Sequence, residues 1–218
     1  MGALGAGLVA GSLVAIAVFG HLKNPGFVEN LLVTVVAEGL LATFAIWCLP
    51  KVARMSLRSL GLRVPTLKAV GIAIVGAPCA VVGASIVSAI VKHYTHAPHP
   101  QASVVAFAQG AHPLGQSIFV FLGACAVAPI AEESIFRWFA FNLGLRYGGF
   151  WIGAIGSGVL FGLAHMDLYN APALAVVGVV LCAVYYLSRN AFASAITHGL
   201  FNAITLAVVL IDPSVVTR

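Results

Sequence analysis

The sequence predicts an all-α, polytopic transmembrane helix bundle of about seven spans, and three observations carry that expectation. Hydrophobic residues make up 61% of the 218-residue chain and charged residues only 8%, whereas soluble domains carry about a quarter charged residues. Mean hydropathy is +1.05. Apolar runs recur nearly end to end, each close to the roughly 20 residues that one helical crossing needs. They are too long and too uniformly apolar for the alternating strands of a membrane barrel.

Taken in order, the first run covers Ala3 to Gly20; no charged stretch precedes it, so a span is expected rather than a cleavable signal. Phe27 to Leu49, Leu67 to Val91 and Pro113 to about Leu145 follow, the last a long helix expected to protrude from the lipid. Phe150 to Met166, Ala173 to Leu187 and Ala191 to Ile211 complete the set. The whole is expected to be one membrane domain. Residues 1–112 supply N-terminal helices and a basic loop, and residues 113–211 form the helical core that carries the polar motifs.

Positive charge gathers between the second and third runs, at Lys51, Arg54, Arg58, Arg63 and Lys68, and alternation of spans puts Arg146 and Arg189 on the same side. That side is expected to be cytoplasmic. The net charge of +5 then reflects topology and contact with anionic lipid, and no basic-aromatic surface supports nucleic-acid binding. Cys48, Cys79, Cys125 and Cys182 all fall within runs and read as small buried apolar residues. Small-residue spacings at Gly7 with Gly11, and Gly158 with Gly162, predict close helix contacts.

The chemistry concentrates in three polar groupings. Glu132 and Glu133 lie inside an apolar run, followed by Arg137, and ionisable groups at membrane depth mark a functional site by default. Glu133 and Arg137 are one helical turn apart and can pair, while Glu132 points about 100° away and is left free. A free carboxylate facing water can act as a general base. Phe161 with His165, and His198 with Asn202, each share a helix face at four-residue spacing. The imidazole and carboxamide of the last pair can donate hydrogen bonds to an oxyanion.

Helix rise places these groups in one layer. Glu132 is 14 residues before Arg146, and His165 is 14 residues after Trp151, so each lies roughly 21 Å along its helix from the basic side. His198 and Asn202 lie about 13 and about 20 Å past Arg189.

In this arrangement the chain resembles the CPBP intramembrane proteases, which include type II CAAX prenyl endopeptidases and bacteriocin-processing or bacteriocin-immunity proteins. The resemblance rests on an EExxxR motif (Glu132, Glu133, Arg137), an FxxxH motif (Phe161, His165) and an HxxxN motif (His198, Asn202), and covers about Pro113 to Ile211. It implies an intramembrane endopeptidase acting on a membrane-associated, prenylated CAAX-type peptide or protein, in a multi-pass protein of a prokaryotic cell membrane. Glu132 and His165 would activate water, and His198 and Asn202 would bind the oxyanion. Glu133, Arg137 and Phe161 would support them. Glu132, His165 and His198 are also chemically able to hold a divalent metal such as zinc. Water activation without a tightly held metal is the favoured alternative of the two, and no other cofactor is expected.

Other polar residues have plainer readings. Glu38 is expected to make a structural hydrogen bond or to pair with Arg137. His93, His96 and His99 lie in a proline-containing stretch that reads as a solvated loop. Asp167 marks the water boundary. Two rival functions remain: a non-enzymatic membrane binder such as an immunity protein, and a proton-coupled transporter using Glu38, Glu132 and Glu133. The lack of an internal repeat weighs against the transporter.

Overall fold

The structure, a computed structural model, describes residues 58–96 and 114–216, with isolated positions between 36 and 56 and between 104 and 108. Glu38, Cys48, His99, Gly7 and Gly11, and the run from Ala3 to Gly20, lie outside the described residues, as does most of Phe27 to Leu49. The count of seven spans depends on those two runs.

Every regular element among the described residues is helical. Helix α1 spans Leu67–Thr95, α2 Leu114–Leu122, α3 Ala128–Ile135, α4 Asn142–Ala164, α5 Ala171–Ser188 and α6 Ala191–Ile211. Two π turns interrupt the expected single helix from Pro113 to Leu145: Gly123–Val127 lies between α2 and α3, and Phe136–Phe141 between α3 and α4. By length and composition, four stretches can cross a membrane: α1, Leu114–Ala164, α5 and α6. The protein is therefore an integral membrane helix bundle.

The 51-residue stretch from Leu114 to Ala164 is not one straight rod. Gly149 has φ +77° and ψ −175°, a conformation open to glycine but strained for other residues, and the chain doubles back there. Ser157 Oγ donates to Phe136 O at 2.8 Å, although 21 residues of straight helix would hold the two about 31 Å apart. Gly144 and Gly153 face each other across the hairpin, where a Cβ on Gly144 would lie 2.5 Å from Gly153 Cα. The reversal agrees with separate runs ending near Leu145 and starting at Phe150.

Caps explain the helix ends that the apolar pattern alone locates. Thr66 Oγ1 accepts from Ala69 N at the start of α1, and Asn190 Oδ1 accepts from Phe192 N and Ala193 N at the start of α6. Both satisfy N–H groups that a helix leaves unpaired. α1 buries Ala69, Ala73, Gly76, Ala77 and Ala80, a small-residue stripe that lets it approach α5 and α6. Thr197 Oγ1 of α6 donates to Ala73 O at 3.0 Å.

The glycine contact expected at Gly158 and Gly162 is present. A Cβ on Gly158 would lie 2.6 Å from Ala175 O, and one on Gly162 would fall on Ala171 O, so α4 and α5 pack backbone to backbone. Cysteines are more varied than expected. Cys182 is buried and Cys125 is half-buried, but Cys79 is exposed, because it faces away from the alanine stripe of α1.

The basic residues Arg63, Arg146 and Arg189 gather at one end of the bundle. Arg63 Nη2 donates to Arg189 O at 3.1 Å and Asn190 Nδ2 donates to Arg63 O at 2.9 Å. Phe150, beside the Gly149 turn, packs on Tyr186 near the end of α5.

Candidate active site

The acidic pair sits on α3, a helix of eight residues between the two π turns. Glu133 and Arg137 are fully buried, and Arg137 Nη1 lies 3.1 Å from Glu133 Oε1. The same carboxylate oxygen is 3.2 Å from His198 Nδ1. An N–H at Nδ1 donates to Glu133 and fixes the ring, leaving Nε2 as the working nitrogen. His198 Nε2 faces Glu132 Oε2 at 3.9 Å, outside hydrogen-bond range. Glu132 thus points away from the Glu133–Arg137 pair, as helical geometry predicts, and its side chain is the only one of these four that solvent reaches appreciably, at 19% exposure.

Phe161 is the hub of the site. Its ring packs edge-on against His165 at 4.8 Å and His198 at 5.5 Å, and the Arg137 guanidinium lies over it at 4.6 Å. A phenyl ring there both seals the guanidinium from water and separates the two imidazoles. Arg137 Nη2 also reaches Gly178 O at 3.4 Å, an acceptor brought close by the glycine contacts between α4 and α5.

His165 ends α4, at its C-cap. Its Nδ1 lies 2.8 Å from Phe161 O, so an Nδ1–H bond to that carbonyl leaves Nε2 as an acceptor. Asn202 lies one turn beyond His198 on α6, and its Nδ2 donates to Ala124 O at 2.7 Å. One of its two amide hydrogens is committed to the first π turn; the other is available.

The structure therefore joins Glu133, Arg137 and His198 directly, sets Glu132 3.9 Å from His198, brings His165 to them through Phe161, and holds Asn202 against the neighbouring π turn. Asp167 accepts from Tyr169 N, Asn170 N and Asn170 Nδ2 and closes the turn between α4 and α5. His96 caps the end of α1 in a left-handed conformation and His93 packs on Tyr94.

Among the described residues no three His, Cys, Asp or Glu side chains converge as a ligand set; the Nδ1 contact of His198 with Glu133 leaves Nε2 as its open ring nitrogen.

Polar residues that the motifs pass over hold the helix around the acids. The wide ring of a π turn leaves nearby carbonyls without their α-helical N–H. At Phe136–Phe141 these are met by side chains. Ser157 donates to Phe136 O, and Asn142 Nδ2 donates to Arg137 O at 2.9 Å and Trp138 O at 3.1 Å. The available signal is that Asn142 and Ser157 are polar within apolar runs; the carbonyls that Asn142 serves lie four and five residues before it, whereas Ser157 finds its partner by tertiary contact.

Residues 114–204 match the family model described as type II CAAX prenyl endopeptidase Rce1-like. This Rce1-like segment contains Glu132, Glu133, Arg137, Phe161, His165, His198 and Asn202, and agrees with the resemblance read from the three motifs. No curated protein matches the chain, and neither does any solved structure.

Proposed function

We propose that this protein is an intramembrane endopeptidase that cleaves a peptide bond in a membrane-associated, prenylated CAAX-type substrate. The observation that carries the reading is the sealed chain Arg137–Glu133–His198 ending opposite the partly solvated Glu132, at 3.9 Å, within the Rce1-like segment.

In the proposed reaction Glu132 takes a proton from water, with His165 Nε2 as a second acceptor, and the resulting hydroxide adds to the amide carbonyl. The developing oxyanion accepts from an N–H at His198 Nε2 and from the uncommitted N–H of Asn202. An imidazolium at His198 makes the group of Glu132, Glu133, Arg137 and His198 neutral overall while supplying that N–H. On collapse the C–N bond breaks, and the proton held by Glu132 passes to the leaving amine. Glu133 and Arg137 keep His198 in register and touch no reacting atom.

The decisive experiment is cleavage of a farnesylated CAAX peptide by purified protein in lipid vesicles. Glu132→Gln and His198→Ala are expected to lower kcat by at least about a hundredfold, and His165→Ala by a comparable factor. Equal cleavage by wild type and all three variants would remove the protein from the hydrolases and favour a binding role. Chelator treatment is expected to leave the rate unchanged; loss of activity restored by added zinc would instead assign Glu132, His165 and His198 as ligands.

A further inference from the structure

We infer that Asn142 and Ser157 are positioning residues for the hydrolytic site, acting by clamping open the π turn at Phe136–Phe141 from which Arg137 projects. The inference rests on the function proposed above for its kinetic part, and on geometry alone for its structural part.

The argument begins with the backbone. A π turn is rare and replaces i→i+4 bonds by i→i+5 ones, so side-chain donors to its carbonyls hold it against reverting to regular helix. Arg137 and Trp138 are buried, so no water is at hand to serve those carbonyls. One Nδ2 hydrogen of Asn142 is shared between the two, at 2.9 and 3.1 Å, and Ser157, itself 2% exposed, serves Phe136 O at 2.8 Å from across the hairpin. The other Nδ2 hydrogen of Asn142 goes to Tyr185, whose phenol oxygen lies 2.9 Å away and whose O–H donates to Leu60 O at 3.0 Å. The clamp is thus anchored on two neighbouring segments, α5 and the loop before α1.

The consequence for the site follows from helical phase. Closing the π turn to regular α-helix drops a residue from the bulge, and each residue of helix is about 100° of rotation. Arg137 lies inside the bulge, so its guanidinium cannot keep both Glu133 Oε1 at 3.1 Å and Gly178 O at 3.4 Å through such a change. His198 Nδ1 bonds the same Glu133 oxygen, so a shift of Arg137 is felt at the imidazole. Neither Asn142 nor Ser157 is placed against Glu132 or His198; each acts through the π turn.

The test uses the full chain in lipid vesicles, with Ser157→Ala, Asn142→Leu and the double substitution. Two readouts are taken: the kcat and KM for a farnesylated CAAX peptide, and the nitrogen NMR signals of the His198 ring in labelled protein. The expected result is a fall in kcat of about a hundredfold for the double variant, the cost of a misplacement of about 1 Å, with KM unchanged and the His198 signals displaced. Wild-type kcat and unmoved His198 signals in Ser157→Ala and Asn142→Leu would overturn the inference. Should Asn142→Leu fail to fold, Ser157→Ala decides alone. Should wild type fail to cleave the peptide, the proposed function falls, and the His198 signals still decide whether the clamp positions the site: displaced, it does; unmoved, it does not.

Discussion

Removing one member of the Arg137–Glu133 pair gives the sharpest energetic test. Both side chains are fully buried at 3.1 Å, so solvent screening does not dilute their interaction as it does at a surface, where such pairs contribute at most about 1 kcal/mol. Arg137→Met keeps most of the side-chain volume and the contact with Phe161 but removes the guanidinium that Glu133 faces, leaving the carboxylate its contact with His198. Breaking a buried pair from one side costs about 3–5 kcal/mol, because the surviving charge stays desolvated. Glu133→Gln alone should cost a similar amount by stranding the guanidinium. The double variant Glu133→Gln/Arg137→Met should cost less than the sum of the singles by about 2 kcal/mol, a coupling in the range found for contacting residues. Reversible unfolding in mixed micelles measures all four proteins. If Arg137→Met unfolds with wild type and the cycle closes with no coupling, the pair is not the buried electrostatic unit described here, and the account of how His198 is held fails with it.

Other expectations follow from particular contacts. Phe161→Ala should destabilise by about 3–5 kcal/mol, and it should also broaden the His165 and His198 ring signals, since the phenyl touches both. Gly162→Ala sets a methyl on the Ala171 carbonyl oxygen, and Gly199→Ala sets one on the Cys125 carbonyl oxygen; each should cost about 1–3 kcal/mol in unfolding experiments. Gly156→Ala meets open space, and should be neutral or stabilise by up to about 1 kcal/mol. A maleimide reagent that partitions into lipid should label exposed Cys79 well before buried Cys182 in the folded protein, and the order should vanish on unfolding.

How much of this was legible in the residues depends on the range of the interaction. Helix α6 begins and ends where the apolar run does, at Ala191 and Ile211, because Asn190 supplies a local cap two and three residues away. The Glu133–Arg137 pair was equally local, one turn apart in one helix. The partner of Glu132 was not, because His198 is 66 residues further along the chain and reaches it only through the packing of α3 against α6. The π turns carry no periodic or compositional mark at all. What sustains the second of them is a hydroxyl 21 residues away and a carboxamide whose own partner is Tyr185. Sequence could flag Asn142 and Ser157 as polar in oily surroundings, but Ser157 meets Phe136 O only once the hairpin at Gly149 has closed, and Asn142 meets Tyr185 only once α5 has packed.

The distribution of exposure among the charged groups argues for chemistry over mere bracing. An ion pair kept only to lock helices is a poor device, since a well-packed apolar set of the same volume is often as stable or more so. Bracing also needs no second acid, yet Glu132 adds a carboxylate beyond the one that Arg137 neutralises. The groups are graded: Glu133 and Arg137 are sealed, His198 is 4% exposed at its side chain, and Glu132 reaches 19%. Fixed charge therefore lies where water is excluded, and the side chain of the surplus acid is the most exposed of the four, with its Oε2, the oxygen facing His198, turned inward. A general base must both meet water and be held still while a proton moves, and the sealed side of the cluster holds His198 still opposite it. A helix brace would gain nothing from that gradient, whereas the hydrolysis proposed above would use it.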